Sequence, residues 1–458
     1  MNTRARLLDV IDRSLNGPIV SEQDFDMNHV YRGLKKVLKK YDIKVREDNL
    51  LTMDFELADR VWDAAVEFLA ECGVFSKDTG RVILFSEKEL REYVRLAPDR
   101  ITYGVGRDAC EAVARTLDDE RPPLNLGGPV STPVPNEYFD SMTMSYMQEP
   151  RVDMYCPPTN MLYQGREIRT RSPLEIYAAY EEILRFKNMA RMAGRPGIHI
   201  HGIGISVSDI GQLAAGQFMS EGDGHALGII AEMKADNTIL NKLTYGVLSD
   251  KMIAPYANPI YGGLGGGLEG QIVLTVAEMI MCSVVFMGEN VGTTPTHPIH
   301  FISTSKELLQ ETSIAFAAIS RNSHLLTNLT GTQAGGPGTK TLLYEVITTG
   351  IVVAKSGFAH VLGPRGATGA ITGANSGLEA RFQGEVLHAA AKVSREKAEE
   401  IMWKAYNKYK DDIEHKPYGQ PYWEVYDVAA VRPKDFWLKM YEEVKEEAIG
   451  WGLPLDQI

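Results

Sequence analysis

Ser172-Pro173-Leu174-Glu175 opens the stretch that decides the fold, and Ala193-Gly194-Arg195-Pro196-Gly197-Ile198-His199-Ile200-His201-Gly202 closes it. Ser172 is an N-cap residue type, Pro173 suits the first helical position, and Glu175 stands at the third. The pattern predicts a helix from Ser172 to about Ala193 that stops at Gly194, a residue type that favours helix ends. Arg195-Pro196 then turns the chain into a short apolar run, read as a buried strand over 198–205. A helix feeding a buried strand is the building unit of α/β folds. His199 and His201 lie two apart, so in a strand they share one face. Imidazoles on a buried face ask for hydrogen bonds, a metal or catalysis.

Reading outward, Ser208 to Phe218 is expected to start the next helix. Further strands are expected near 228–232 and 283–287. Further helices are expected near 268–281, 305–319, 341–350 and 376–391. This alternation favours α/β, and the length suits a (β/α)8 TIM barrel better than a short open sheet. The first part of the chain reads as helical. Asp54 to Cys72 has helical apolar spacing and stops at Gly73, and Ser86-Glu87-Lys88-Glu89 has a capping-box pattern. Ser394 to Tyr409 and Pro433 to Gly450 read as helices near the other end. The expected division is a helical N-terminal extension over 1–95, a barrel domain over 96–420 and a helical C-terminal tail over 421–458.

Composition sets the class. Of the 458 residues 44% are hydrophobic, which is ample for a core, and the net charge is −12. With no long Lys/Arg run to offset that charge, a nucleic-acid partner is not expected. Cys72, Cys110, Cys156 and Cys282 are too widely spaced for a disulfide framework or a Cys-only zinc site. Met1 to Val20 lacks an apolar signal core, and no apolar run reaches the length of a membrane span. A cytoplasmic enzyme is the expected class.

Several blocks resemble one known family. Glu71-Cys72-Gly73-Val74-Phe75 is followed by Asp78-Thr79, Gly104-Val105-Gly106-Arg107-Asp108-Ala109, Gly127-Gly128-Pro129 and Met144-Ser145-Tyr146. Met192 to Gly197, Pro259-Ile260-Tyr261-Gly262-Gly263, Gln333 with Gly336-Pro337, Gly377-Leu378-Glu379-Ala380-Arg381, Gly384-Glu385-Val386 and Tyr426-Asp427-Val428 complete the set. In number and order they resemble the archaeal monomethylamine:corrinoid methyltransferases, nearly end to end. The resemblance implies a TIM barrel that forms homo-oligomers. It also implies transfer of a methyl group from a small methylated donor to the Co(I) corrinoid, a cobalamin, of a separate carrier protein. Counting on from Arg-Pro-Gly, His201 occupies the family's pyrrolysine position. Two family glutamates fall on Ala226 and Tyr256, and the family's glutamine is kept as Gln333. The site expected from this resemblance places His201, Tyr256 and Gln333 at the chemistry and His199, His225 and Tyr261 around the donor. Gly265 and Gly266, in the segment Gly262 to Gly267, would admit the corrinoid ring at a wide, neutral or acidic mouth.

A methyl group on an amine or ether is a poor electrophile, so its leaving group needs help. In the family the pyrrolysine imine captures the amine and carboxylates manage protons. His201 cannot form that adduct, and Ala226 and Tyr256 remove the anions that would hold methylammonium. A neutral pocket remains, and a methoxylated aromatic donor suits it, with His201 protonating the departing phenolate as an imidazole of pKa about 6.5. The alternative is an N-methyl donor, a betaine or methylamine, against an aromatic wall.

Other readings compete. His199, His201, His225, Glu232, Cys282, His297 and His300 are candidate zinc ligands, but no ligand spacing supports them, so no metal site is assigned. Asp223-Gly224-His225-Ala226-Leu227-Gly228 has the Asp-x-His-x-x-Gly form of histidine-ligated cobalt, which would make the chain a corrinoid carrier. It lacks a preceding apolar strand and a downstream Ser-x-Leu. The glycines from Gly262 to Gly267 lack the Gly-Lys-Ser/Thr of a phosphate loop.

Overall fold

The computed structural model describes residues 3–202 and 208–458. Its centre is a ring of eight parallel strands: β1 (Leu124–Gly127), β2 (Met154–Tyr155), β3 (His199–Ile200), β4 (Gly224–Gly228), β5 (Met252–Ala257), β6 (Asn290–Thr293), β7 (Leu326–Thr332) and β8 (His360–Arg365). Each strand neighbours the next in sequence, and β8 returns to β1. A parallel bridge between His201 and Gly224 closes the seam between β3 and β4. One helix follows each strand: α1 (Phe139–Met147), α2 (Pro173–Met192), α3 (Asp209–Gly216), α4 (Asn237–Leu248), α5 (Leu268–Val284), α6 (Lys306–Asn322), α7 (Lys340–Lys355) and α8 (Gly377–Ala391). This is the (β/α)8 barrel that the alternation predicts.

The deciding stretch folds by local rules. The Ser172 hydroxyl accepts from the Glu175 N–H, and Pro173 sits in the first turn. Gly194 takes a φ of 73° after the helix, a value only glycine adopts freely. The Arg195 guanidinium donates to the Val152 carbonyl at 2.6 Å, and Asp223 accepts from the Ile200 N–H at 2.9 Å. These contacts seat β3 between β2 and β4. The part of the expected strand over 203–205 lies outside the described residues.

Two expectations need correction. The apolar run expected as a strand over 283–287 is instead the end of α5 and the turn after it, and β6 begins at Asn290. Every residue from Gly270 to Val284 is buried, because the helix Phe55–Cys72 covers the outer face of α5. The body of the helix agrees with the expectation over 268–281, but without a polar face its period does not mark where it ends. The strand expected near 228–232 lies earlier, at β4, where Gly224 and His225 mask the apolar pattern.

The segment before the barrel combines the helices Thr3–Asn16, Arg32–Lys40, Phe55–Cys72 and Glu87–Arg95 with a small hairpin, Val74–Ser76 and Arg81–Ile83. A second hairpin, Arg100–Tyr103 with Cys110–Val113, presses Tyr103 against His199 and His360 at the start of β3 and β8. After the barrel, the helices Arg395–Tyr409 and Asp435–Trp451 pack on α7. Tyr441 donates to Glu385 at 2.7 Å, which gives that carboxylate a structural use. The four cysteines are free thiols. Among the described residues no helix is long and apolar enough to cross a membrane.

Candidate active site

A cavity of about 300 Å³ opens at the end of the barrel where the strands finish. Cys156 after β2, His201 after β3, Ala226 on β4, Tyr256 on β5 and Arg365 at the end of β8 all line it. Active sites of this fold lie at that face, because the loops following the strands converge there.

His201 and Tyr256 meet across the seam. The Tyr256 hydroxyl lies 2.7 Å from His201 Nε2, and His201 Nδ1 lies 3.0 Å from His199 Nε2. His199 Nδ1 in turn lies 2.6 Å from the Gly222 carbonyl oxygen. A carbonyl can only accept, so His199 Nδ1 carries a proton and its Nε2 accepts. His201 Nδ1–H therefore donates to His199, and His201 Nε2 accepts from the Tyr256 O–H. The chain of donors has one direction, and both tautomers follow from its last acceptor.

Burial holds this chain neutral. His201 is held well below the usual imidazole range by desolvation, reinforced by His199, His360 and His225. The Tyr256 phenol is held well above its usual value, again by burial. His201 is thus a neutral acceptor at neutral pH, not the titrating acid that an ordinary imidazole would be. Beneath it lies a second polar layer. Asn328 donates to Asn290 at 2.8 Å, and Asn290 donates to His360 Nε2 at 3.1 Å.

The other expected residues lie elsewhere. Alternation along β4 turns Ala226 to the cavity and His225 outward. His225 Nδ1 accepts from Gln212 of α3 at 3.1 Å, and its ring abuts Tyr245 of α4. Buried between strand and helices, it offers no face for a corrinoid, which corrects the cobalt-carrier reading. Gln333 sits behind the wall. Its Oε1 accepts from the Arg365 N–H at 2.9 Å, and its own N–H donates to the Arg365 carbonyl at 3.0 Å. Tyr261 stacks on His297 in the loop after β5, outside the cavity lining. Gly265 and Gly266 belong to the same loop. Gly266 has a φ of 72° and open space where a side chain would project, while Gly265 is buried against Gly270. Among the described residues, no group of three or more His, Cys, Asp or Glu is placed to hold a metal ion.

Arg365 is the residue the sequence reading missed. The mouth was expected to be neutral or acidic, yet the one charged side chain that lines the cavity among the described residues is this cation. Its signal was slight: a lone arginine in Gly363-Pro364-Arg365-Gly366, where no strand was expected.

Comparison with known proteins places this geometry in a family. Residues 5–453 match the model of the monomethylamine methyltransferase MtmB family. The chain is 28% identical over 450 residues to monomethylamine methyltransferase MtmB2 of Methanosarcina acetivorans, covering 97% of both chains. It is also 28% identical over 447 residues to MtmB2 of Methanosarcina barkeri, with the same coverage. The crystal structure of the Methanosarcina barkeri enzyme superposes with a TM-score of 0.94 at 27% identity over 98% of each chain. A crystal structure of a hydroxylamine MtmB complex superposes with a TM-score of 0.95. With the barrel, the mouth and the matched length in agreement, the chain belongs to the monomethylamine methyltransferase MtmB family of methyltransferases.

Proposed function

We propose that this chain moves a methyl group from a methoxylated aromatic compound to the Co(I) corrinoid of a partner protein. The observation that carries the reading is the neutral His201–Tyr256 pair, in a cavity that no carboxylate lines among the described residues. The relatives are named for monomethylamine. Methylammonium is a cation, and here nothing negative would hold it and no imine would capture it. A cavity of about 300 Å³ is within the range that takes one ring-sized molecule.

In the reaction the corrinoid's electron pair attacks the methyl carbon, the O–CH3 bond breaks, and its pair stays on oxygen as a phenolate. The transition state therefore gains charge on that oxygen. His201 and Tyr256 both border the cavity, and because the His201 N–H is committed to His199, the Tyr256 hydroxyl is the donor of the pair that is free to turn. Turned from His201 to the departing oxygen, its O–H exchanges a neutral hydrogen bond for a charge-assisted one as the charge develops. His201 holds the hydroxyl in place until then. Gly262 and Gly266, both with positive φ and open space around them, leave the rim beside the mouth uncrowded for a macrocycle. The chain is also proposed to self-associate, which the apolar groove formed by Ile176, Tyr180, Leu213, Phe218 and Leu248 on α2 to α4 supports.

The test is to incubate the protein with reduced cobalamin and a panel of methoxybenzoates, methoxyphenols, betaines and methylamines, and to follow methylated cobalamin by its absorbance. Methoxylated aromatics should react fastest and monomethylamine slowest. Efficient demethylation of monomethylamine alone overturns the proposal. Turnover confined to betaines moves the assignment to the N-methyl alternative.

A further inference from the structure

Among the described residues, Arg365 has no side-chain partner in the wall that holds it. Its Nε is shut off from solvent and makes no hydrogen bond. The ionisable side chain acting on it is the Cys156 thiol, which burial pushes up to about 12 and so keeps neutral. No Asp or Glu lines the cavity among the described residues, and Ile203-Gly204-Ile205-Ser206-Val207, outside them, bring no charge. A guanidinium stays charged at any ordinary pH, and leaving it unpaired in a partly dry wall is unfavourable.

The wall is nevertheless built to keep it there. Gln333 clamps both the N–H and the carbonyl of Arg365. The turn after β8 folds over the side chain, and a Cβ at Gly369 would stand 2.0 Å from Arg365 Nε and 2.4 Å from Cζ. Only glycine allows the guanidinium to lie against that turn. Such positioning of an uncompensated cation beside a cavity fits a place reserved for an anion that arrives with the ligand.

We propose that Arg365 receives a carboxylate of the methyl donor, so that the substrate class is a methoxylated aromatic acid and not a neutral ether. The planar fork of a guanidinium matches a carboxylate by two parallel hydrogen bonds. Held by its acid group on β8, an aromatic ring would extend across the mouth toward Tyr256 on β5. This assignment rests on the methyl-transfer reading above but concerns binding, so the two fail separately.

The test is calorimetric titration of the full chain, without corrinoid, using 4-methoxybenzoate, benzoate and 4-methoxyphenol. The wild type should bind 4-methoxybenzoate at least about tenfold more tightly than 4-methoxyphenol, about the scale of one charge-assisted contact. Arg365→Gln should abolish that preference, and Arg365→Lys should retain part of it. Thermal melts of the ligand-free proteins separate recognition from a structural role. Removing an unpaired charge should leave the Arg365→Gln midpoint equal to or above wild type, whereas a residue that supports the fold would lower it. Equal wild-type affinity for acid and phenol, no measurable binding of 4-methoxybenzoate, or a preference that survives Arg365→Gln overturns the proposal. Arg365-dependent binding without methyl transfer from any donor keeps this site and removes the reaction proposed for it. Methyl transfer from 4-methoxyphenol without acid preference does the reverse.

Discussion

The two walls of the cavity differ in how completely their polar groups are satisfied. On the β3–β5 side, Tyr256, His201, His199 and the Gly222 carbonyl form one directed run of hydrogen bonds that ends on an acceptor. On the β8 side, Arg365 carries a full charge and an Nε without a partner among the described residues. A saturated wall has spent its hydrogen bonds on preorganising one geometry. An unsaturated wall still holds interaction free energy that something else must claim. The comparison teaches where to look for positioning and where to look for recognition.

The sharpest way to break this contrast is to remove the hydroxyl at the cavity end of the saturated wall. Tyr256→Phe keeps the ring but deletes the proposed donor to the departing oxygen. Turnover of a methoxylated donor should fall by roughly 10²-fold, the usual scale for one donor aimed at developing charge. The Michaelis constant should change much less, as measured by initial rates of cobalamin methylation. Turnover within a few-fold of wild type would reduce Tyr256 to a piece of the wall.

A smaller effect should follow from loosening the clamp on the unsaturated side. Gln333→Ala leaves the part-buried N–H of Arg365 without its acceptor. The cost should be about 1–3 kcal/mol in denaturant unfolding. The preference for an aromatic acid over the matching phenol should weaken in parallel, because the guanidinium is no longer held. A stability loss without any change in that preference would separate Gln333 from recognition.

Smallest per unit change is the effect of pH. Burial pushes His360 down to about 3, so it stays neutral in the folded chain, while the unfolded chain takes up its proton near pH 6.5. As pH falls from about 6.5 toward 3, the unfolded state binds the extra proton and this contribution to stability is progressively lost. His360→Gln should make the decline less steep by about 1.4 kcal/mol per pH unit. Glu232, Glu311 and Glu345, each raised to about 7 by burial, act with the opposite sign between 7 and 4.5. The variant must therefore be compared with wild type at each pH, by chemical unfolding. Parallel profiles would mean that His360 is protonated in the folded chain.

Much of the barrel was legible from local chemistry. Caps, prolines and glycines announce their elements within a few residues, as at Ser172, Ser86 and Gly194. The end of helix α5 and the start of strand β4 were misread for the same reason in opposite forms. Full burial erased the period of one, and Gly224 with His225 masked the apolar pattern of the other. At the site, the shared face of His199 and His201 followed from strand geometry, and the family resemblance brought Tyr256 to the same place.

By itself, then, the sequence determined the α/β class, most of the helices, the family and the two histidines at its centre. Those are properties of neighbouring residues and of matched order along one chain. Only the tertiary structure decided that His201 is a neutral acceptor, because its protonation depends on burial and on an acceptor at Gly222. The fold also turned His225 away from the cavity, set Gln333 behind the wall and left Arg365 in it unpaired among the described residues. Desolvation and pairing are sums over groups distant in sequence, so they take values only once the barrel closes and brings β3, β5 and β8 around one cavity.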